Sequence, residues 1–234
     1  VAGAGLQKFR DAAIETAVGL LEREPLALNR GFVSRMVRGR PWVTVKLGAS
    51  ADGRTALADG SSQWITSPAA RADVQRLRAR ASASLTGIGT VEADEPALTV
   101  RDPLLDLAGR DPLRVVFDSS GRLRAESRLV QDGKPTLVFA TSQGVLALRD
   151  RLGTQHLNVS VESLADDATG RIDLAAALRR LAELECNEVL VEAGPRLAGS
   201  FVTDGLADEI VLYVAPTLLG DTARPSFALS QPLR

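Results

Sequence analysis

Short apolar runs alternating with amphipathic stretches constrain this chain more than any other feature. Candidate strands fall at Val43–Leu47, Ser84–Ile88, Leu113–Phe117, Thr136–Ala140, Leu157–Val161, Glu188–Glu192 and Glu209–Ala215. Each has strand length and is bounded by turn residues. Helices fit between several of them. Ser67 is a good N-cap and Pro68 suits the first helical position. The helix they open places Val74, Leu77 and Ala81 on one face, with Arg71, Arg76, Arg78 and Arg80 mostly elsewhere. Further helices are expected over Ser142–Leu152, from Asp173 with Leu174, Leu178 and Leu181 as its apolar stripe, and from Pro195 to a glycine stop near Asp204-Gly205. Strands alternating with helices predict an α/β fold whose mainly parallel sheet is covered on both faces. The close spacing of some strands predicts a mixed edge.

Residues 1–40 follow a different pattern: a helix, a short strand near Ile14–Val18 and a second helix from about Glu22 to Met36, ended by Arg38-Gly-Arg-Pro41. That unit is too small to bury a core alone and reads as the tail of something larger. The remaining residues, 41–234, are enough for one domain.

Charge and composition remove several function classes. The net charge of −1 and an aromatic content of 4% leave no basic, base-stacking surface for nucleic acid. No apolar run approaches the length of a membrane span, and Val1–Leu6 lacks the pattern of a signal peptide, so a cytoplasmic location is expected. With His156 and Cys186 the only residues of their types, no catalytic triad, internal disulfide or Cys-rich metal cage is expected. Both read as structural residues. What remains is chemistry performed by a bound cofactor.

Two segments suit such a cofactor. In Val189-Leu-Val-Glu192-Ala-Gly194-Pro195 an apolar strand ends in an acidic residue, a glycine and a helix start. Ligands of open α/β sheets bind at such strand ends, and a free helix N-terminus attracts phosphate. A plain strand-to-helix turn reads equally well. Thr86-Gly-Ile-Gly89-Thr90 also follows a strand, but lacks the third glycine of a dinucleotide fingerprint. Arg78 and Arg101 are candidate phosphate ligands, since arginine forks match phosphate oxygens. Lys46 interrupts an apolar strand on its more polar face, which suits a ligand site or an edge strand.

Five ordered motifs then carry a resemblance: Lys46-Leu-Gly-Ala-Ser-Ala-Asp-Gly-Arg-Thr55, Ser62-Gln-Trp-Ile-Thr-Ser67, Ala93-Asp-Glu-Pro-Ala-Leu-Thr-Val-Arg101, Val191-Glu-Ala-Gly-Pro195 and Ala215-Pro-Thr-Leu-Leu-Gly220. Over about residues 40–225 the chain resembles the reductase domain of the bifunctional riboflavin-biosynthesis deaminase/reductase family. Residues 1–40, with Leu28-Asn-Arg-Gly-Phe32, resemble the end of the preceding deaminase domain and its linker.

The resemblance implies a dihydrofolate-reductase-like fold, a mixed, mostly parallel twisted sheet flanked by helices. It implies NADPH-dependent reduction of the ribosyl group of 5-amino-6-(5-phosphoribosylamino)uracil to ribityl. Carried over by motif, the cofactor would meet Gly48, Trp64, Thr90, Asp94, Ser119 and the helix start Gly194, Pro195, Arg196, Leu197, Ala198, Gly199 and Ser200. The substrate would meet Ser62, Arg78, Leu98, Arg101 and Glu192, with both arginines on its phosphate. Lys46 is the candidate for polarising or protonating near C1′, Asp52 the second candidate, and Arg122 a candidate reader of the cofactor's 2′-phosphate. The family's deaminase needs zinc held by one His with two or more Cys, beside a catalytic Glu. One His and one Cys cannot build that set, so zinc is expected only in a deaminase domain outside this chain. The chain is expected to be the C-terminal portion of a longer protein, without its final strands, and to form a homodimer. Competing readings are a pterin reductase of the same fold, a catalytically silent assembly module and a dinucleotide sensor.

Overall fold

The computed structural model describes residues 3–19, 23–61, 66–153, 155–167, 169–229 and 232. Helices α1 (Ala4–Asp11), α2 (Arg23–Leu28) and α3 (Arg30–Arg38) precede strand β1 (Trp42–Ser50) and the short β2 (Arg54–Ala56). Helix α4 (Pro68–Arg80), β3 (Ala83–Gly87), α5 (Ile88–Asp94), β4 (Leu113–Phe117) and α6 (Arg128–Gln131) follow. The second half runs β5 (Thr136–Ala140), α7 (Ser142–Leu152), β6 (Val159–Ser163), α8 (Leu174–Glu183), β7 (Glu188–Val191), α9 (Pro195–Thr203), β8 (Glu209–Ala215) and β9 (Arg224–Pro225).

Seven strands form one sheet in the order β6-β5-β4-β3-β7-β1-β8. Every neighbouring pair in it is parallel. The antiparallel pairing expected at an edge of this sheet forms instead a separate ribbon, β2 with β9. A two-residue partner strand with Pro225 in it cannot extend a long ladder.

Alternation divides the strand residues between two layers. On one face Val43, Val45, Leu85, Val115, Phe139, Val189 and Val191 pack against Leu174, Leu178 and Leu181 of α8 and Phe201 of α9. Phe117 joins Phe139 and Phe201 at ring separations of 5.8 and 6.3 Å. On the opposite face Val116 and Val138 meet Ile88 and Val91 of α5, Leu129 of α6 and Leu148 of α7. That second layer is apolar only over β4–β6. Over β7, β1 and β8 it carries Glu192, Thr44, Lys46, Glu209 and Tyr213, and α4 lies against it.

Several local expectations need correction. Residues 14–18 are not a strand, because no neighbouring strand pairs with them. The long helix expected up to Met36 is broken by a turn at Asn29 into α2 and α3. The sixth strand starts two residues later than expected, at Val159. Helix α4 buries Val74 and Arg78, with Leu77 only half-buried, so its inward face includes a cation. Its cap was legible: Ser67 accepts from the Ala70 N–H, and Pro68 opens the first turn.

Helix α3 is fastened to the sheet by charge. Arg30 bridges Glu188 at 3.3 Å and Glu209 at 2.8 Å, while Arg38 and Arg40 share Asp208 at 2.6 and 2.7 Å. Gly31 is needed there, since a Cβ would lie 2.7 Å from the Asn187 carbonyl oxygen.

Candidate active site

Strands β3 and β7 are neighbours, yet their onward connections leave in opposite directions. Strand β3 leads through α5 to β4, and β7 leads through α9 to β8 on the far side of β1. Helix α5 packs in one layer and α9 in the other. Such a switch point opens a crevice at the carboxyl ends of the strands, where α/β proteins bind ligands.

The two glycine segments singled out in the sequence meet here. The Gly194 N–H donates to Thr90 Oγ1 in the first turn of α5 at 3.2 Å, joining segments 104 residues apart. Helices α7 and α8 begin on side-chain caps, Thr141 and Asp173. Helices α5 and α9 begin on Gly87 and Gly194 without one. Their first-turn N–H groups are therefore left for another partner. This pair of glycine-opened helix starts fits the pyrophosphate of a dinucleotide, and Gly89, where a Cβ would meet none of the described residues within 4 Å, leaves it room. Only the first turn of α9 faces the crevice. Ala198 is in the core, Gly199 abuts the Ala228 backbone, and Ser200 turns back to the Arg196 carbonyl at 3.1 Å.

Strand β7 ends at Val191, one residue earlier than expected, and beside that cradle Glu192 follows it. Its N–H donates to the Leu85 carbonyl at 2.8 Å and its own carbonyl accepts from the Thr86 hydroxyl at 2.8 Å, which fixes the backbone. Its carboxylate accepts from Arg78 Nε at 2.6 Å and Nη2 at 3.0 Å, a two-pronged pair. Lys46 Nζ stands 3.6 Å away, an ion pair longer than a good hydrogen bond. Burial alone would raise the Glu192 pKa. The charge and hydrogen bonds of Arg78, then of Lys46, outweigh it and hold the carboxyl below its ordinary range. Strand β1 has partners on both sides, so Lys46 is not there because its strand is an edge.

Arg78 is buried, 114 residues from its acidic partner, and its Nη1 donates to the Thr99 carbonyl at 3.1 Å. One N–H on each terminal nitrogen has no acceptor among the described residues. Arg101 is exposed, its guanidinium makes no hydrogen bond or ion pair among the described residues, and its backbone N–H donates to Gln75 at 2.7 Å. Leu98, between Ala97 and Thr99, is buried with φ 50°, a conformation a leucine holds only when its surroundings enforce it.

The remaining expected residues are more scattered. Gly48 sits in β1, where a Cβ would come 2.8 Å from the Thr66 methyl group. Asp94 closes α5, and the protein mass around its side chain pushes its carboxyl pKa upward although the residue keeps an exposed face. Ser119 accepts from Thr141 through its carbonyl at 2.7 Å and receives the Ile172 N–H on its hydroxyl at 3.3 Å. Arg122 is paired with Glu92 at 2.9 Å. Asp52 takes a hydrogen bond from Ser50 and the N–H groups of Leu219 and Gly220, which holds its pKa down at about 2. That carboxylate anchors a loop. Ser62 and Trp64 lie outside the described residues. Cys186 is buried, its thiol pushed up to about 11 by burial, which leaves it unreactive at neutral pH.

Three participants escaped the sequence reading: Thr86 and Thr99, which fix Glu192 and Arg78, and Tyr213, whose hydroxyl donates to Asp73 at 2.6 Å. Thr86 and Thr99 lie within segments already singled out, Thr86–Thr90 and Ala93–Arg101, but nothing local gives either its role; Tyr213 lies in no motif.

The family model for the RibD C-terminal domain matches residues 41–234. The riboflavin biosynthesis protein RibD of Escherichia coli (strain K12) is 42% identical over 233 residues, an alignment taking in 96% of this chain and 61% of the relative. The solved structure of Acinetobacter baumannii RibD superposes with a TM-score of 0.84 at 37% identity, covering 100% of this chain and 62% of the other. A Thermotoga maritima diaminohydroxyphosphoribosylaminopyrimidine deaminase/5-amino-6-(5-phosphoribosylamino)uracil reductase gives 0.79 at 31%, covering 95% and 58%. The chain thus spans about three-fifths of the length of the curated relatives it matches. The fold is of the dihydrofolate-reductase-like class expected from the sequence motifs.

Proposed function

The chain belongs to the RibD C-terminal domain family, and from that premise we propose that it is an NADPH-dependent reductase of riboflavin biosynthesis acting on 5-amino-6-(5-phosphoribosylamino)uracil. The observation that carries the reading is the cluster Lys46–Glu192–Arg78, set beside the two uncapped helix starts at the β3/β7 switch point.

NADPH, when bound, supplies the hydride that reduces C1′ of the ring-opened ribose. Thr90 and the first turn of α9 hold its pyrophosphate, while Gly48, Asp94 and Ser119 line the remainder of its path, with Trp64 as a further contact. Arg101 and the two free N–H groups of Arg78 take the substrate phosphate; Ser62 and Leu98 complete that end. Glu192 receives substrate hydroxyl or ring N–H groups. It also keeps Arg78 and Lys46 in place, and a carboxylate between two cations stays ionised through neutral pH. Lys46 would donate the proton taken up by the nitrogen bonded to C1′ as that carbon is reduced. Because C1′ must be held ~3–3.5 Å from the hydride donor, much of the rate comes from orientation. Asp52, occupied by its three donors, serves as the loop anchor rather than as a proton carrier.

Residues 1–40 are read as the end of a preceding deaminase domain and its linker, with α3 as the strap that ties it to the reductase. The parent protein would be a zinc-dependent deaminase as well. A homodimer belongs to the same reading, and the oligomeric state in solution tests it. No helix of the described residues is long and apolar enough to cross a membrane, and a cytoplasmic site of action belongs to the same reading.

The test is NADPH oxidation with the ribosylamino-pyrimidine phosphate, comparing the wild type with Lys46→Met. Turnover that falls about a hundred-fold in the variant is expected for loss of a positioned acid. Undiminished turnover would remove Lys46 from that role, and no turnover by the wild type would remove the reductase reading.

A further inference from the structure

The reaction just described leaves one aromatic group beside the site unused. Tyr213 lies on β8 directly opposite Gly48 of β1, on the same sheet face as Lys46. Gly48 has no side chain, so β1 offers the ring no neighbour at that level. Across from it stands the start of α4. Between the two runs a cleft of about 410 Å³, walled by Thr66, Ala70, Tyr213, Ala215 and Pro216. That volume is within the range of small-molecule sites, roughly 300–1,000 Å³.

The ring is held in place. Its hydroxyl donates to Asp73 of α4 at 2.6 Å, and the residue is half-buried. Burial, then the bond to Asp73 and the charges of Asp73 and Glu192, raise the phenol pKa well above its usual value. It therefore stays a neutral donor, and the field of Glu192 reaches it. An aromatic ring locked by its hydroxyl presents a flat face at little further cost in side-chain entropy.

The chemistry of the cleft selects its occupant. Among the described residues no charged side chain lines it, so it does not suit a phosphate. The cation nearest the rim is Arg71, whose guanidinium is turned onto the Thr66 carbonyl at 2.7 Å, while Arg78 stands against Glu192 and Arg101 beside Gln75 of α4. A substrate with one charged end and one flat neutral end is thereby oriented. We propose that Tyr213, pinned by Asp73, is a positioning residue for the neutral heterocyclic ring of the substrate, which stacks on it in this cleft. The proposal rests on the reductase reading and assigns the ring end of the same site.

Tyr213 is the one tyrosine in the chain, so replacing tyrosine by 3-fluorotyrosine places a fluorine reporter at this position alone. In the absence of NADPH, the ribosylamino-pyrimidine phosphate should shift its ¹⁹F resonance saturably. Ribose 5-phosphate, which has the charged end without the ring, should leave it unmoved. In kinetics, Tyr213→Leu should raise the KM for substrate about ten-fold or more, the scale of a lost aromatic stack. The KM for NADPH should change much less, although Gly48 opposite is read as lining the cofactor's path, and Tyr213→Phe, which keeps the ring but loses its bond to Asp73, should show an intermediate rise in substrate KM. A purely structural tyrosine would move both KM values or neither. An unmoved resonance in protein that turns the substrate over, or a wild-type substrate KM in Tyr213→Leu, overturns the assignment while the reductase reading stands. Absence of wild-type turnover defeats that reading, and this inference with it.

Discussion

Two arginines are buried on the same face of the sheet, and their surroundings differ in a way that separates fold from function. Arg114, on β4, donates to both Asp132 oxygens at 2.6 and 2.8 Å and to the carbonyls of Ala97, Leu129, Lys134 and Pro135. Every guanidinium nitrogen is occupied, and the apolar layer of α5, α6 and α7 covers the same half of the face. Arg78 reaches the other half from α4. It has Glu192, the Thr99 carbonyl and two N–H groups without an acceptor among the described residues. A fully satisfied buried cation has nothing left for a ligand, whereas an incompletely satisfied one beside a crevice does. The loop Ala97–Thr99 serves both: its left-handed bend at Leu98 turns one carbonyl to Arg114 and the next-but-one to Arg78.

The largest effect should come from breaking the structural arginine. Arg114→Met leaves Asp132 and several buried carbonyls without their donor, and removing one partner of a buried pair costs ~3–5 kcal/mol. Because Asp132 keeps some solvent access, the lower end is expected. Denaturant unfolding should show that loss, while the KM values of whatever folded protein remains stay within about two-fold of wild type. A specific rise in substrate KM would erase the division between the two halves.

The mirror-image substitution is Glu192→Gln. An amide is nearly isosteric but cannot balance two cations, so the effect should fall on turnover, by roughly a hundred-fold. Stability should fall as well, by ~3 kcal/mol at the lower end for a buried pair that loses one charge, because the amide nitrogen would meet an Arg78 donor and only one of the two prongs can be remade. Steady-state kinetics beside thermal unfolding separates the two readouts. Loss of stability without loss of kcat would make this carboxylate another Asp132.

A smaller effect sharpens the functional half. Arg101→Ala removes an exposed charge that pairs with none of the described residues. Losing one charge-assisted contact to phosphate, ~1.5 kcal/mol at the lower end, corresponds to about a ten-fold rise in substrate KM. Stability should be unaltered. An unchanged KM would favour a substrate without a phosphate, such as a pterin.

How much of this was legible in the sequence follows from the range of each interaction. Ser67-Pro68 announced α4, and the Leu174/Leu178/Leu181 stripe announced α8, because caps and stripes are encoded within a few residues. The buried face of α4 was misread because an arginine is ordinarily a solvated residue, and only Glu192, 114 residues away, makes Arg78 an inward one. The bond between Thr90 and Gly194 is equally non-local. Their two glycine segments could be marked separately, but that they form one cradle depends on β3 and β7 being neighbours, and strand order has no local signature. The same holds for Tyr213 and Asp73. Ile14–Val18 failed in the opposite sense: a strand-like run becomes a strand only where a partner exists.

The smallest expected effect concerns Asp52, and its sign is fixed by the direction of its pKa. The carboxyl is held at about 2, below its ordinary value of 3.8, by the Ser50 hydroxyl and the Gly220 and Leu219 N–H groups. A group with a depressed folded-state pKa binds protons more readily when unfolded. Its contribution is therefore complete above about pH 4 and fades as the pH falls through the folded-state value near 2. Asp52→Asn should be less stable than wild type at pH 6, and the two unfolding midpoints should converge as the buffer is taken from pH 5 toward pH 2. The residue is exposed, so the gap should be small and should narrow further in salt. NADPH-dependent turnover at pH 7 should survive in the variant, in keeping with a carboxylate that anchors the Leu219-Gly220 loop. Its collapse, with the midpoints still converging, would restore Asp52 as a participant in proton transfer and extend the functional half of the sheet to the far end of β1.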